Sequence, residues 1–121
     1  MASYPVVRIS KGHFTSEQCD KIQRLIDESA QSLVPALKQL HGLIYYSAAV
    51  DTVTNTVINL SIWTDLTVAK QMDTLPEMLA QRPILEQAGV QFDKIANYEP
   101  LWVIQNTEAG VITGSISLSQ E

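Results

Sequence analysis

Val57, Asn59, Ser61 and Trp63 alternate through the apolar run VINLSIW at positions 57–63. If the run is a strand, its period of two puts these four on one face and Ile58, Leu60 and Ile62 on the other. An Asn amide donates hydrogen bonds to a phenolate without changing its own charge, and an indole N–H is a donor only. Donors aimed at a developing oxyanion stabilise it. The mixed face therefore suits a mostly apolar pocket with a few placed polar groups. The aliphatic face suits a subunit interface or a barrel interior. A plainer reading stands beside this one. A Trp at a strand end is ordinarily core, and a buried Asn ordinarily satisfies neighbouring backbone.

Other candidates are more scattered. Arg82, beside Pro83, can pair with an anionic substrate or a developing charge, or simply be solvated. Tyr45, Tyr46, Ser61 and Met72 are candidate substrate contacts, and Tyr98 is a further aromatic that packs or positions a ring. His13 and His41 fall at element ends, as proton carriers or as exposed turn residues. Two histidines so far apart make no metal motif. Cys19, the single cysteine, lies on an apolar helix stripe and reads as a buried thiol rather than a nucleophile. No Ser-His-Asp arrangement, Gly-rich phosphate loop, metal-ligand spacing or G-x-G-x-x-G is present, so no metal and no cofactor is expected.

These residues need elements to hold them. A β-branched run, VVRI at 6–9, starts a first strand reaching toward Phe14, with Pro5 at its entry. Thr15 with Gln18 forms a capping-box pattern. Ile22, Leu25, Ile26 and Leu33 then recur at helical spacing, with Cys19 and Ser29 on the same stripe. Pro35 is expected to kink or end this helix, with a short continuation to Leu40 and a turn at Gly42. Residues 43–50 and 57–63 read as an antiparallel hairpin joined by the polar turn DTVTNT at 51–56. Asp65 is expected to cap a second helix carrying Leu66, Ala69 and Met72. Thr74 with Glu77, and Pro76 in the first turn, restart it; Pro83 is expected to break it again, and Gly89 to cap it. Residues 95–104 complete a fourth strand, at an edge or bulge because of Pro100. The order β-α-β-β-α-β is the ferredoxin-like split βαβ pattern, an α+β fold with an antiparallel sheet. Residues 1–104 form this domain. The stretch 105–121, with Ile112, Ile116 and Leu118 alternating with polar residues, is expected to be an arm or strand lying on a partner subunit.

The chain has 121 residues, 45% hydrophobic and 17% charged, with a net charge of −5. That size fits one domain, and charge below the usual quarter points to surface buried against a partner. An acidic chain with scattered lysines and arginines argues against nucleic acid. No apolar run approaches the roughly 18 residues of a membrane span, and the first residues lack a signal-peptide pattern. No membrane association and a cytoplasmic location are expected.

Leu40-His41-Gly42-Leu43-Ile44-Tyr45-Tyr46 resembles the helix end, glycine and apolar-aromatic strand of antibiotic-biosynthesis-monooxygenase domains. The run 57–63 resembles their third strand, which ends in Trp before a polar helix start. The resemblance covers roughly residues 4–104. It implies a homodimer in which two four-stranded sheets form an α/β barrel, with a pocket in each subunit between the sheet and its own helices. It also implies cofactor-free oxidation of aromatic phenols or quinols by O₂, with Asn59 and Trp63 in the places of the substrate-activating Asn and Trp. The heme-degrading branch is not matched, since there is no Asn in 4–14 and no His in 65–90. A Tyr that some oxygenases carry on the second helix is also unmatched, Val68 and Ala69 standing there.

Two functions are thus expected from different classes. One is a cofactor-independent monooxygenase acting on a small aromatic phenol or quinol, with Asn59, Trp63 and Arg82 as its catalytic groups. The other is a non-catalytic, small-molecule-binding dimeric barrel, and a purely structural dimer remains open beside both.

Overall fold

A computed structural model describes residues 5–104. Strand β1 runs Val6–His13, and a short 3-10 turn at Ser16–Gln18 leads into helix α1, Cys19–Lys38. The hairpin β2 (Leu43–Asp51) and β3 (Thr56–Trp63) follows, then the short helix α2 (Leu66–Ala69), a 3-10 turn at Lys70–Asp73, and α3 (Pro76–Gln87). Two short strands close the order, β4 (Gln91–Phe92) and β5 (Ala96–Tyr98). All pairings are antiparallel in the order β2-β3-β1-β4, with β5 also on β1. β4 and β5 are therefore two pieces of one edge strand, interrupted where Asp93 N–H bonds the Lys11 carbonyl at 2.8 Å. This is the ferredoxin-like arrangement, with the helices on one face of the sheet.

Local signals explain most boundaries. The Gln18 side chain accepts from the Thr15 backbone N–H at 3.0 Å, as a capping box requires. The Asp65 carboxylate accepts from Val68 N–H at 2.9 Å and starts α2. Gly42 has φ +75 and Gly89 φ +114, conformations that side chains resist. Gly89 terminates α3 one residue beyond Ala88. An added Cβ there would meet the Gln18 amide at 2.0 Å, so the end of α3 and the start of α1 are packed directly together.

Four expectations are corrected. Pro35 and Pro83 neither end nor split their helices; both are exposed and lie inside α1 and α3. Packing of the buried Leu33, Leu37 and Leu85 on either side outweighs one lost backbone bond. The N-cap of α3 is Leu75 rather than Thr74, with Pro76 at the first position. The last strand begins earlier, at Gln91, and stops at Tyr98, before Glu99 and Pro100. Pro100 has no N–H to donate to β1. The expected arm at 105–121 lies outside the described residues.

The register divides the helix-facing side of the sheet into four cross-strand rows. Val6, Trp63 and Leu43 form one end row, and Gly12, Val57 and Val50 the other. Each end row supports its own core. Trp63 (0% exposed) packs with Leu33, Leu37, Ala69 and Met72, while Val57 packs with Phe14, Ile22, Leu85, Ala88 and Val90. Between them lie two rows of different character: Asn97, Arg8, Ser61 and Tyr46, then Ser10, Asn59 and Ala48.

Candidate functional site

The two middle rows form the floor of the site, because strand alternation turns their polar and small side chains toward the helices. Between this floor and the helices is a cavity of about 30 Å³. From the sheet it is lined by Ser10, Tyr46 and Asn59, from α1 by Ile26 and Leu33, and from α3 by Met78, Gln81 and Leu85. Space on this scale holds about one water.

Tyr46 carries the one buried side-chain polar atom without a hydrogen-bond partner among the described residues, its hydroxyl. Burial pushes this phenol well above its ordinary pKa of 10.0, so it stays a neutral donor and acceptor. Asn59 lines the same cavity. Unpaired polar groups in an apolar space are costly unless something binds them.

The remaining candidates are elsewhere. Trp63 is fully buried, and its Nε1–H donates to Ser61 Oγ at 2.8 Å, so its donor is engaged within the protein. Ser61 is itself buried in the same row as Tyr46. Met72 is part of the core around Trp63. Tyr45 faces the opposite side of the sheet and is half exposed. Arg82 is exposed on α3, bonded to Glu86 at 3.1 Å, with its guanidinium 5.2 Å from the Phe92 ring centre. His41 is exposed. His13 is paired with Asp93 at 2.8 Å. Cys19 is partly buried beside the core around Val57, and its Sγ accepts from Gln23 at 3.2 Å. The structure thus brings Asn59 and Tyr46 together and leaves Arg82, Met72 and Tyr45 away from them.

Sequence reasoning passed over Ser10, Gln81 and Arg8. Arg8 is a buried arginine on the helix-facing side of β1, next to Ser61 in register. Its signal was available, as a charge within the β-branched run VVRIS in phase with Val6. Among the described residues no group of three or more His, Cys, Asp or Glu is placed to hold a metal ion. No helix among them is long and apolar enough to cross a membrane.

No protein-family model matches the chain, and no curated protein matches it. Solved structures do. A candidate antibiotic biosynthesis monooxygenase from Deinococcus radiodurans superposes with a TM-score of 0.64 at 19% identity, over 84% of this chain and 97% of that one. SnoaB, a cofactor-independent oxygenase from Streptomyces nogalater, gives 0.59 at 12% identity, over 86% and 100%. A candidate antibiotic biosynthesis monooxygenase from Chloroflexus aurantiacus gives 0.56 at 16%, over 84% and 97%. The chain has the ferredoxin-like fold of the antibiotic-biosynthesis-monooxygenase structures.

Proposed function

We propose that this chain is a cofactor-independent monooxygenase acting on a small aromatic phenol or quinol. The observation that carries the reading is the unpartnered, buried Tyr46 hydroxyl beside a largely apolar cavity that Asn59 also lines, between sheet and helices. The fold it shares with a cofactor-independent oxygenase supports it. In this scheme the substrate gives its phenolic proton to solvent water, Asn59 and Tyr46 donate to the resulting oxyanion, and a proton returns from water when the peroxide anion forms. The substrate carbanion passes one electron to O₂, and the two radicals combine at carbon. Loss of water from the hydroperoxide leaves a carbonyl, so one oxygen atom enters the product and the other leaves as water. Trp63 acts through Ser61, whose hydroxyl it fixes between Arg8 and Tyr46 in the polar row. Arg82 contributes charge from the outer side of α3. A ring system exceeds the cavity as it stands, so entry moves Met78, Gln81 and Leu85 of α3 away from the sheet.

The working unit in this reading is a homodimer. On the face of the sheet away from the helices, Val7, Ile9, Ile58, Leu60 and Ile62 form a continuous aliphatic surface flanked by Tyr45 and Tyr98. A second copy of the same sheet is the natural cover.

The alternative, a non-catalytic barrel that binds a small molecule, is favoured by the small volume of the cavity. Oxygen uptake by metal-free, flavin-free protein supplied with anthrones and hydroquinones separates the two. Asn59→Ala is expected to lower the rate by about a hundredfold, as loss of one oxyanion donor does elsewhere. Uptake no faster than buffer, from a well-folded protein, leaves the binding function.

A further inference from the structure

Beside the inner cavity lies a second, larger space, of whose lining the oxygenase scheme uses only Arg82. It is an open cleft of about 390 Å³ where β1 meets the β4–β5 edge, within the size range of small-molecule sites. Phe92 lines both spaces, which adjoin there. Arg8, Arg82 and Lys94 line the cleft, so three of the chain's eight lysines and arginines gather here, on a protein of net charge −5. Its acidic residues are Asp73 and Asp93.

Arg8 is the anchor. Its side chain is 9% exposed, and Nη2–H donates to Asp73 at 2.5 Å while Nη1–H approaches Asn97 Oδ1 at 3.5 Å. A guanidinium carries five N–H donors, so two bonds leave three without a protein partner among the described residues. These donors belong to a side chain lining the cleft, in a row that runs from Asn97 through Arg8 and Ser61 to Tyr46. Buried arginines with spare donors suit a planar anion. The charge count selects its valence. Asp73 pairs with Arg8, Glu86 with Arg82 and Asp93 with His13, which leaves Lys94 as the cleft cation without a carboxylate partner among the described residues. A carboxylate neutralises it, whereas a phosphate dianion leaves an excess negative charge in an already acidic chain.

We infer that this cleft binds a carboxylate and that the substrate is a hydroxylated aromatic carboxylic acid, its acid group held by Arg8 with Lys94 and Arg82 at the rim. The carboxylate site stands on its own residues; its place in the substrate rests on the oxygenase reading. Adjacent strands lie about 4.8 Å apart, so the floor spans from Arg8 on β1 to Asn59 on β3 within the length of one or two fused rings. The ring would lie along Phe92, with its hydroxyl toward the inner cavity.

The test compares 6-hydroxy-2-naphthoate, whose hydroxyl and carboxylate lie at opposite ends of the fused rings, with 2-naphthol, by calorimetric titration of the full chain at low and high salt. The carboxylate is expected to bind about tenfold tighter or better at low salt, and the advantage to shrink at high salt. Lys94→Gln combined with Arg82→Gln, both at exposed positions, is expected to reduce the advantage to threefold or less, on the order expected from losing rim charges. Arg8→Lys, which keeps the charge and loses the fork, is expected to weaken the naphthoate alone. Equal affinity for the two compounds, no binding of either, or an advantage unchanged in the double variant overturns the carboxylate site. Asn59→Ala keeps the two claims apart. It is expected to leave the carboxylate preference intact while removing oxygen uptake. A preference without uptake for any substrate sinks the oxygenase and leaves the anion site. Uptake that is equal with charged and neutral substrates sinks the anion site and leaves the oxygenase.

Discussion

Tyr46 holds a hydroxyl that nothing in the described protein satisfies. Its removal in Tyr46→Phe is expected to leave stability at neutral pH within about 1 kcal/mol of the parent, since no protein hydrogen bond is lost. Alkaline pH separates the two proteins. The phenol ionises near 10.0 in the unfolded chain, while burial pushes it higher in the fold. Above that value the unfolded state binds fewer protons than the native state, so stability falls as pH rises toward the folded pKa. Urea denaturation at pH 8 and pH 11 is expected to show a smaller loss in Tyr46→Phe than in the parent. Trp63 behaves differently, because its indole both fills a core and supports Ser61. Trp63→Phe is expected to cost about 1–3 kcal/mol, from lost contacts and an unpaired Ser61 hydroxyl. Retained stability in that variant would show that the indole bond is dispensable.

At the scale of elements, the two prolines inside helices and the two glycines at their ends make opposite predictions. Pro83 sits in the interior of α3, exposed, where it removes one backbone bond. Pro83→Ala is expected to raise the melting midpoint, by about 1 kcal/mol of stability. Gly42→Ala is expected to cost about 1–3 kcal/mol, because φ is +75 and the new Cβ would lie 2.6 Å from Thr64 Oγ1 and 2.7 Å from Val68 Cγ2. Much of this layer was legible beforehand. Thr15, Gln18, Asp65 and Gly89 each signal a boundary through local hydrogen bonding or backbone freedom, and the fold places those boundaries there. Alternation in 57–63 likewise identified the face that carries Asn59. The prolines misled because a local rule cannot weigh a helix's packing on both sides of the break. The β4–β5 edge misled because its residues take their pairing from β1, far away in sequence. The cleft at Arg8 was illegible for the same reason: its members come from positions 8, 73, 82 and 94, and only the sheet register and α3 bring them together.

For the whole molecule, the aliphatic outer face of the sheet carries the prediction of assembly. Leu60 pairs with Ile9 on one side and Ser47 on the other, at the centre of that face. Sedimentation at micromolar concentration is expected to give a dimer for the parent and a monomer for Leu60→Lys, whose charge cannot be buried against a second copy. A parent that sediments as a monomer removes the barrel.

The four-row floor has a further consequence, for how such a protein changes over generations. Stability rests on the two end rows, where Trp63 and Val57 each anchor a separate core. The row of Ser10, Asn59 and Ala48 between them contributes little packing and borders a space for about one water. Positions 10, 48 and 59 can therefore drift with small thermodynamic penalty, while positions 57 and 63 cannot. A lineage built on this floor can exchange one ligand for another by altering three side chains, without first acquiring compensating mutations elsewhere. This offers one physical route by which a single architecture comes to host unrelated chemistries.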